Sequence, residues 1–141
     1  MLNNRIVVYE YVCGDVLQNW HLRALESGKA LGDILIVGVL TDEAIMEKKP
    51  KPVLPFEVRC ALVSAVKYVD MIVVQDTYTP FKNIKMLRPD ILFESESHSE
   101  EDLEKARKCM QDIGGSVIVF PYYLGQSSTK IKQRIIENVK K

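Results

Sequence analysis

The segments Ile6-Val7-Val8-Tyr9-Glu10-Tyr11-Val12 and Ile34-Leu35-Ile36-Val37-Gly38-Val39-Leu40 flank Leu17, Ala24, Leu25, Gly28 and Leu31, which recur at helical spacing. Both outer segments are β-branched and apolar at nearly every position, the pattern of a strand covered on both faces. A strand, a helix and a second such strand within this length make a β-α-β unit, whose crossover is right-handed when the strands are parallel. Further apolar runs follow at Met71 to Val74, Ile91 to Phe93 and Val117 to Phe120. Helical spacing returns in Phe56, Cys60, Val63 and Val66, in Leu103, Ala106, Cys109, Met110 and Ile113, and in Ile131, Ile135, Ile136 and Val139. The third helix has a start signal in Ser99-Glu100-Glu101-Asp102 and a stop at Gly114-Gly115, and a short helix over Phe81 to Leu87 ends at Arg88-Pro89. The expectation is a single α/β domain over residues 1–141, doubly wound, with a mainly parallel five-stranded sheet and helices on both faces.

Composition narrows the partners. The 141 residues carry 19 Lys+Arg and 19 Asp+Glu, a formal net charge of zero, so no whole-chain field steers the protein to nucleic acid or to a membrane surface. No apolar run approaches a membrane span, and Met1 to Arg5 lacks a signal-peptide core, so the expected location is the cytoplasm. Three widely separated cysteines, Cys13, Cys60 and Cys109, fit neither a disulfide framework nor a metal knuckle, and no metal ligand set is expected.

In a doubly wound sheet the ligand lies beyond the carboxyl ends of the strands, which directs attention to five loops. The first, Tyr11 to His21, runs from a strand into a helix start but lacks the glycine patterns of dinucleotide or P-loop sites. It also lacks the acidic cluster expected of a receiver-like module. Gln18 and His21 are three apart and share one face of the first helical turn, either as an anion contact or as a capped helix with a packed Trp20. The second loop, Glu47-Lys48-Lys49-Pro50-Lys51-Pro52, is a solvated basic run or a lid carrying ammonium groups to a polyphosphate. The last, Gly125-Gln126-Ser127-Ser128-Thr129-Lys130, sets a glycine and three hydroxyls before a helix, suited to phosphate oxygens or to a polar turn. The acids from Glu94 to Glu101 and His98 read as a solvated stretch, with His98 alternatively a donor in the site and Glu96 a ligand for Mg²⁺ or a ribose hydroxyl. Tyr122 and Tyr123 either pack the sheet edge or line the site.

These segments, taken in order, resemble the cytidylyltransferase-like nucleotidyltransferases, in particular the glycerol-3-phosphate and ethanolamine-phosphate cytidylyltransferase group, over essentially the whole chain. Asp15-Val16-Leu17 to His21 corresponds to the family's H-x-G-H segment, Val39 to Glu43 to its turn after the second strand, and Pro55 to Arg59 to its next helix start. Arg88-Pro89-Asp90-Ile91 precedes the fourth strand as in the family, and Gly125 to Ile131 is similar to its G-I-S-T-T-x-I signature. The resemblance implies a Rossmann-like fold and the transfer of a nucleoside monophosphate, CMP from CTP with ATP as the alternative donor, to a small phosphorylated or phosphonylated acceptor. Mg²⁺ would accompany the triphosphate, and the protein would be a homodimer, with Tyr78, Phe81 and Tyr123 offered as its two-fold patch. The catalytic residues implied are His21, Gln18 and Lys48, with Asp15, Lys51, Arg59, Gly125, Ser127, Ser128 and Thr129 on the nucleotide. The departures fall on the chemistry: Gln18-Asn19-Trp20-His21 replaces H-x-G-H, Ser95-Glu96 stands where the family has G-D, and Val12-Cys13-Gly14-Asp15 keeps only the aspartate of G-T-F-D. A relative that binds nucleotide or another anion without turnover is therefore the second reading. Trp20 has three options: core, a block in the pocket, or a stacking surface.

Overall fold

The computed structural model describes residues 4–95, 98–121 and 128–140. Its elements run β1 (Val7–Val12), α1 (Asn19–Ala30), β2 (Ile34–Leu40), α2 (Asp42–Met46), α3 (Phe56–Ser64), β3 (Met71–Gln75), α4 (Phe81–Leu87), β4 (Ile91–Ser95), α5 (Glu100–Asp112), β5 (Ser116–Phe120) and α6 (Ser128–Lys140). The five strands form one sheet in the order β3-β2-β1-β4-β5, and every pairing is parallel. The sheet is thus wholly parallel, where the sequence indicated mainly so.

The alternation along β1 divides the core in two. Val7 and Tyr9 face Ile36, Ile84, Leu92, Ala106 and Met110 beneath α4 and α5, while Val8 faces Leu25, Leu35, Val37, Val63 and Phe93 beneath α1 and α3. Two glycines make specific geometry possible. Gly14 leaves β1 with φ +72°, a conformation that costs any side chain strain, and a Cβ at Gly28 would collide with Glu10 Oε1 where α1 crosses the sheet.

Local signals account for the helix ends. Ser99 Oγ accepts from the Asp102 amide at 3.1 Å, with three acids in the first turn of α5, and Gly114 at φ +79° ends that segment. The exception is α2, which lies inside what the sequence indicated as one loop from Leu40 to Phe56. Five residues are too few for a 3.6-residue period to register. Its signal was the cap: Thr41 Oγ1 accepts from the Ala44 amide, and Asp42 and Glu43 follow in the first turn.

The chain builds outward from β1 through β2 to β3, then returns to place β4 on the other side of β1. The order reverses between β1 and β4, so the ligand crevice of this topology opens above their carboxyl ends.

Candidate functional site

Two side chains fix the loops around that crevice. Arg59, on α3, is fully buried and pairs with Asp42 at 2.6 Å. Its guanidinium also donates to the carbonyls of Cys13, Leu40 and Leu54. One planar fork therefore ties together the ends of β1 and β2 and the loop before α3. Asp15 accepts from the amides of Val53 and Leu54 at 3.0 and 2.8 Å and pairs with Lys132 of α6. Burial would raise its carboxyl pKa, but Lys132 and the two amides outweigh that and hold it below the ordinary value. Both residues were expected on the nucleotide. In the structure their polar atoms are committed to protein partners, so each reaches the site by positioning loops.

The Asp15–Lys132 pair also docks the first turns of α6 against the loop that enters α1. A helix start on this side of the sheet favours an anion through its dipole.

Gln18 is the cap residue of α1 and is buried. His21 folds back so that its Nδ1 accepts from the Gln18 amide at 3.0 Å. A nitrogen accepting from an amide carries no proton, so His21 is the neutral tautomer with Nε2–H as its donor. Burial, with the charge of Lys49 as a lesser cause, lowers its pKa from 6.5 to about 4. Trp20 is half-buried and lies stacked on the His21 ring, 4.1 Å between centroids with planes 29° apart. The indole is therefore neither in the sheet core nor clear of the motif.

Lys49, not singled out in the sequence, is the lysine of the second loop whose charge acts on His21, Cys13 and His98. Lys48, Lys49 and Lys51 all lie exposed on that loop. Cys13, at the centre of this ring of groups, is a free thiol whose pKa burial raises, which keeps it a thiol and a poor nucleophile.

The acids after β4 divide. Glu94 is only 4% exposed and accepts from Tyr11 Oη at 2.7 Å and from His98 Nε2 at 2.9 Å, which corrects the solvated reading of both residues. The i, i+4 spacing of Glu94 and His98 was the available signal. Thr129 sits in the first turn of α6 and is exposed, and Ser128 begins that helix. Gly125, Ser127, Glu96, Tyr122 and Tyr123, and the side chain of Ser128, lie outside the described residues. Tyr78 and Phe81, expected on a dimer patch, instead pack against core residues. Among the described residues no group of three or more His, Cys, Asp or Glu side chains is arranged to hold a metal ion, and no helix is long and apolar enough to cross a membrane.

Comparison with known proteins agrees with this topology. A bifunctional protein HldE from Citrifermentans bemidjiense is 31% identical over 134 residues, 94% of this chain and 27% of that protein. HldE from Methylococcus capsulatus is 33% identical over 125 residues, 87% of this chain and 26% of its own length. The chain thus spans about a quarter of the length of these relatives. Among solved structures, the lipopolysaccharide core biosynthesis protein from Thermoplasma volcanium superposes with a TM-score of 0.73 at 24% identity, covering 87% of this chain and all of that one. Pantoate-beta-alanine ligase from Francisella tularensis gives 0.66 at 13% identity over all of this chain and 74% of that one. These two likenesses speak to the fold. Residues 15–134 match the cytidylyltransferase-like family, and the chain belongs to it.

Proposed function

We propose that the chain transfers a nucleoside monophosphate, CMP from CTP, to a small phosphorylated acceptor of the sugar-phosphate class and releases pyrophosphate. An acceptor phosphate oxygen attacks the α-phosphorus, the bond from that phosphorus to the bridging oxygen breaks, and the electron pair leaves with pyrophosphate. Such chemistry is governed by positioning and charge stabilisation. The supporting observations are the family match, His21 at the start of α1, and the Asp15–Lys132 pair that ties α6 to the loop entering α1. In this reading His21 donates to a phosphate oxygen as a neutral imidazole, Lys49 supplies the positive charge, and Thr129 with the α6 amides takes a further phosphate. Asp15 and Arg59 hold those groups in place. Mg²⁺ would be carried on the triphosphate and would supply charge neutralisation to the pyrophosphate. The donor set fits that division, because the carboxylate of Asp15 is already committed to Lys132 and two amides.

Binding without turnover is the second reading, favoured by the Trp20 ring lying on His21 where the family motif has glycine. A thermal-shift panel of nucleotides with and without Mg²⁺ tests the site shared by both readings. A selective ligand at 100 times its Kd stabilises the folded state by about 2.7 kcal/mol. A raised Tm with CTP and Mg²⁺ is expected, and no response to any nucleoside triphosphate would refute both.

We also propose a homodimer. The support is on α6, where Ile135, Ile136 and Val139 stand more than half exposed on an otherwise amphipathic helix. Sedimentation at micromolar concentration is expected to show a species of twice 16.1 kDa, and a monomer alone would refute it.

A further inference from the structure

The reading above uses Tyr11, Glu94 and His98 nowhere, yet they form a built cluster at the carboxyl ends of β1 and β4, on the α5 side of the sheet. The two oxygens of Glu94 are divided, Oε1 to Tyr11 Oη and Oε2 to His98 Nε2. Tyr11 Oη also lies 3.4 Å from that Nε2, and the Tyr11 and His98 rings are 6.3 Å apart. The carboxylate is buried while the imidazole is about a quarter exposed, so the accessible member of the cluster is the imidazole.

The groups facing His98 can be weighed one by one. The hydrogen bond from Glu94 favours the charged ring most strongly, burial opposes it, Glu94 and Asp102 add attraction, and Lys49 repels. The balance raises the pKa of His98 above its ordinary value. Tyr11 is pushed well above its usual range, chiefly by burial and then by Glu94, so it stays a neutral donor. With Nε2 committed to the carboxylate, Nδ1–H is the donor that His98 has left. His21 is its opposite: there Nδ1 accepts from an amide and the ring is neutral. The Lys49 charge opposes protonation of both imidazoles.

We propose that His98, held by Glu94 and Tyr11, is the anchor for the anionic group of the acceptor. The site takes a phosphate or phosphonate monoester, with His98 Nδ1–H as the donor and Glu94 as the positioning residue. Identifying that anion as the acceptor rests on the nucleotidyl-transfer reading; the anion site itself does not. Cations between two phosphate-bearing substrates offset their repulsion, a need that Gln18 cannot meet because it is a neutral donor.

The test uses the full chain and inorganic phosphate as the probe, with histidine-ring ¹⁵N NMR as the readout. Phosphate is expected to shift the His98 ring signals and raise their titration midpoint while His21 barely moves, whereas CTP with Mg²⁺ moves His21. His98→Gln, which keeps a donor and loses the charge, is expected to weaken phosphate binding at least tenfold at pH 6.5 and to leave the CTP-induced Tm shift intact. Glu94→Gln keeps the side-chain size but offers one acceptor oxygen in place of two, so it no longer accepts from both Tyr11 and a protonated His98 Nε2, and it is expected to lower the His98 midpoint and weaken phosphate in step. In turnover, both variants are expected to raise the acceptor KM and not that of CTP. Phosphate that moves His21 instead of His98, that binds equally well to wild type and both variants, or that does not bind at all would overturn the proposal. Loss of any CTP response while phosphate still moves His98 would sink the transfer reading and leave the anion site standing.

Discussion

At the amino end of the sheet three aspartates repeat one device, while at the carboxyl end the charged residues divide between staples and groups presented to the crevice. Asp33, Asp70 and Asp90 immediately precede β2, β3 and β4. Each donates its amide to a carbonyl of the neighbouring strand, of Ile6, Leu35 and Val7 respectively, and accepts that same residue's amide on its carboxylate, at 2.7, 2.8 and 2.8 Å. Opening amides that the ladder leaves unpaired are thus satisfied. At the other end, Asp15 and Arg59 are staples of the same kind, whereas His21, Lys49 and His98 are the residues to which the proposed chemistry is given. Charge in this fold has a structural role by default and a chemical one only above the carboxyl ends near the strand-order reversal.

Substitutions can break or sharpen that contrast. Arg59→Met is expected to have the largest effect, a loss of about 3–5 kcal/mol in denaturant unfolding, because it strands Asp42 and three carbonyls around a buried site. A loss under about 1 kcal/mol would mean that the loops are held by something else.

The next effect belongs to the motif. Gln18→His with Trp20→Gly restores a charged donor and lifts the indole off His21, and the regained donor is worth about 1.5–3 kcal/mol of nucleotide binding, readable by calorimetry. Unchanged affinity would place the phosphates away from the start of α1.

A smaller change is expected from Asp90→Ala, which removes the acceptor for Val7 N–H and costs about 0.5–1.5 kcal/mol of stability with the CTP-induced Tm shift retained. Loss of that shift would show the two ends of the sheet to be coupled.

The pH dependence of stability carries two opposed slopes. His21 has a lowered folded pKa, so its contribution is present above 6.5 and is lost as pH falls toward about 4, where the unfolded chain takes the proton more readily. Glu10 is 5% exposed, and its Oε1 has no hydrogen-bond partner among the described residues. Burial first, and then Glu94, raises its pKa well above the ordinary carboxylate value. Its contribution is present at low pH and declines as pH rises through the folded value. Glu10→Gln is expected to flatten the decline of stability with rising pH above the ordinary carboxylate range in denaturant unfolding, and an unchanged slope would contradict a raised Glu10 pKa.

The strands were legible in the sequence because parallel strands buried on both faces are apolar without interruption, and Ser99 and Gly114 marked α5 because caps are local. The carboxyl end was legible in location and less so in roles. Asp15 and Arg59 carry the family motif, but which atoms they contact depends on loops far away in the chain, at Val53 and Leu54 for the one and at Cys13 and Leu40 for the other. Glu94 looked solvated beside other acids, yet β4 continues through it and buries it against Tyr11.

The central claim is that this site transfers a nucleotide, and pyrophosphate release measures it most directly. The natural sequence would be incubated with CTP or ATP, Mg²⁺ and a panel of small phosphates that includes sugar 1-phosphates and glycerol 3-phosphate. The account expects slow release above buffer, dependent on the acceptor and faster with CTP than with ATP. Release indistinguishable from buffer across the whole panel, with nucleotide still raising the Tm, would contradict it and leave a nucleotide-binding protein.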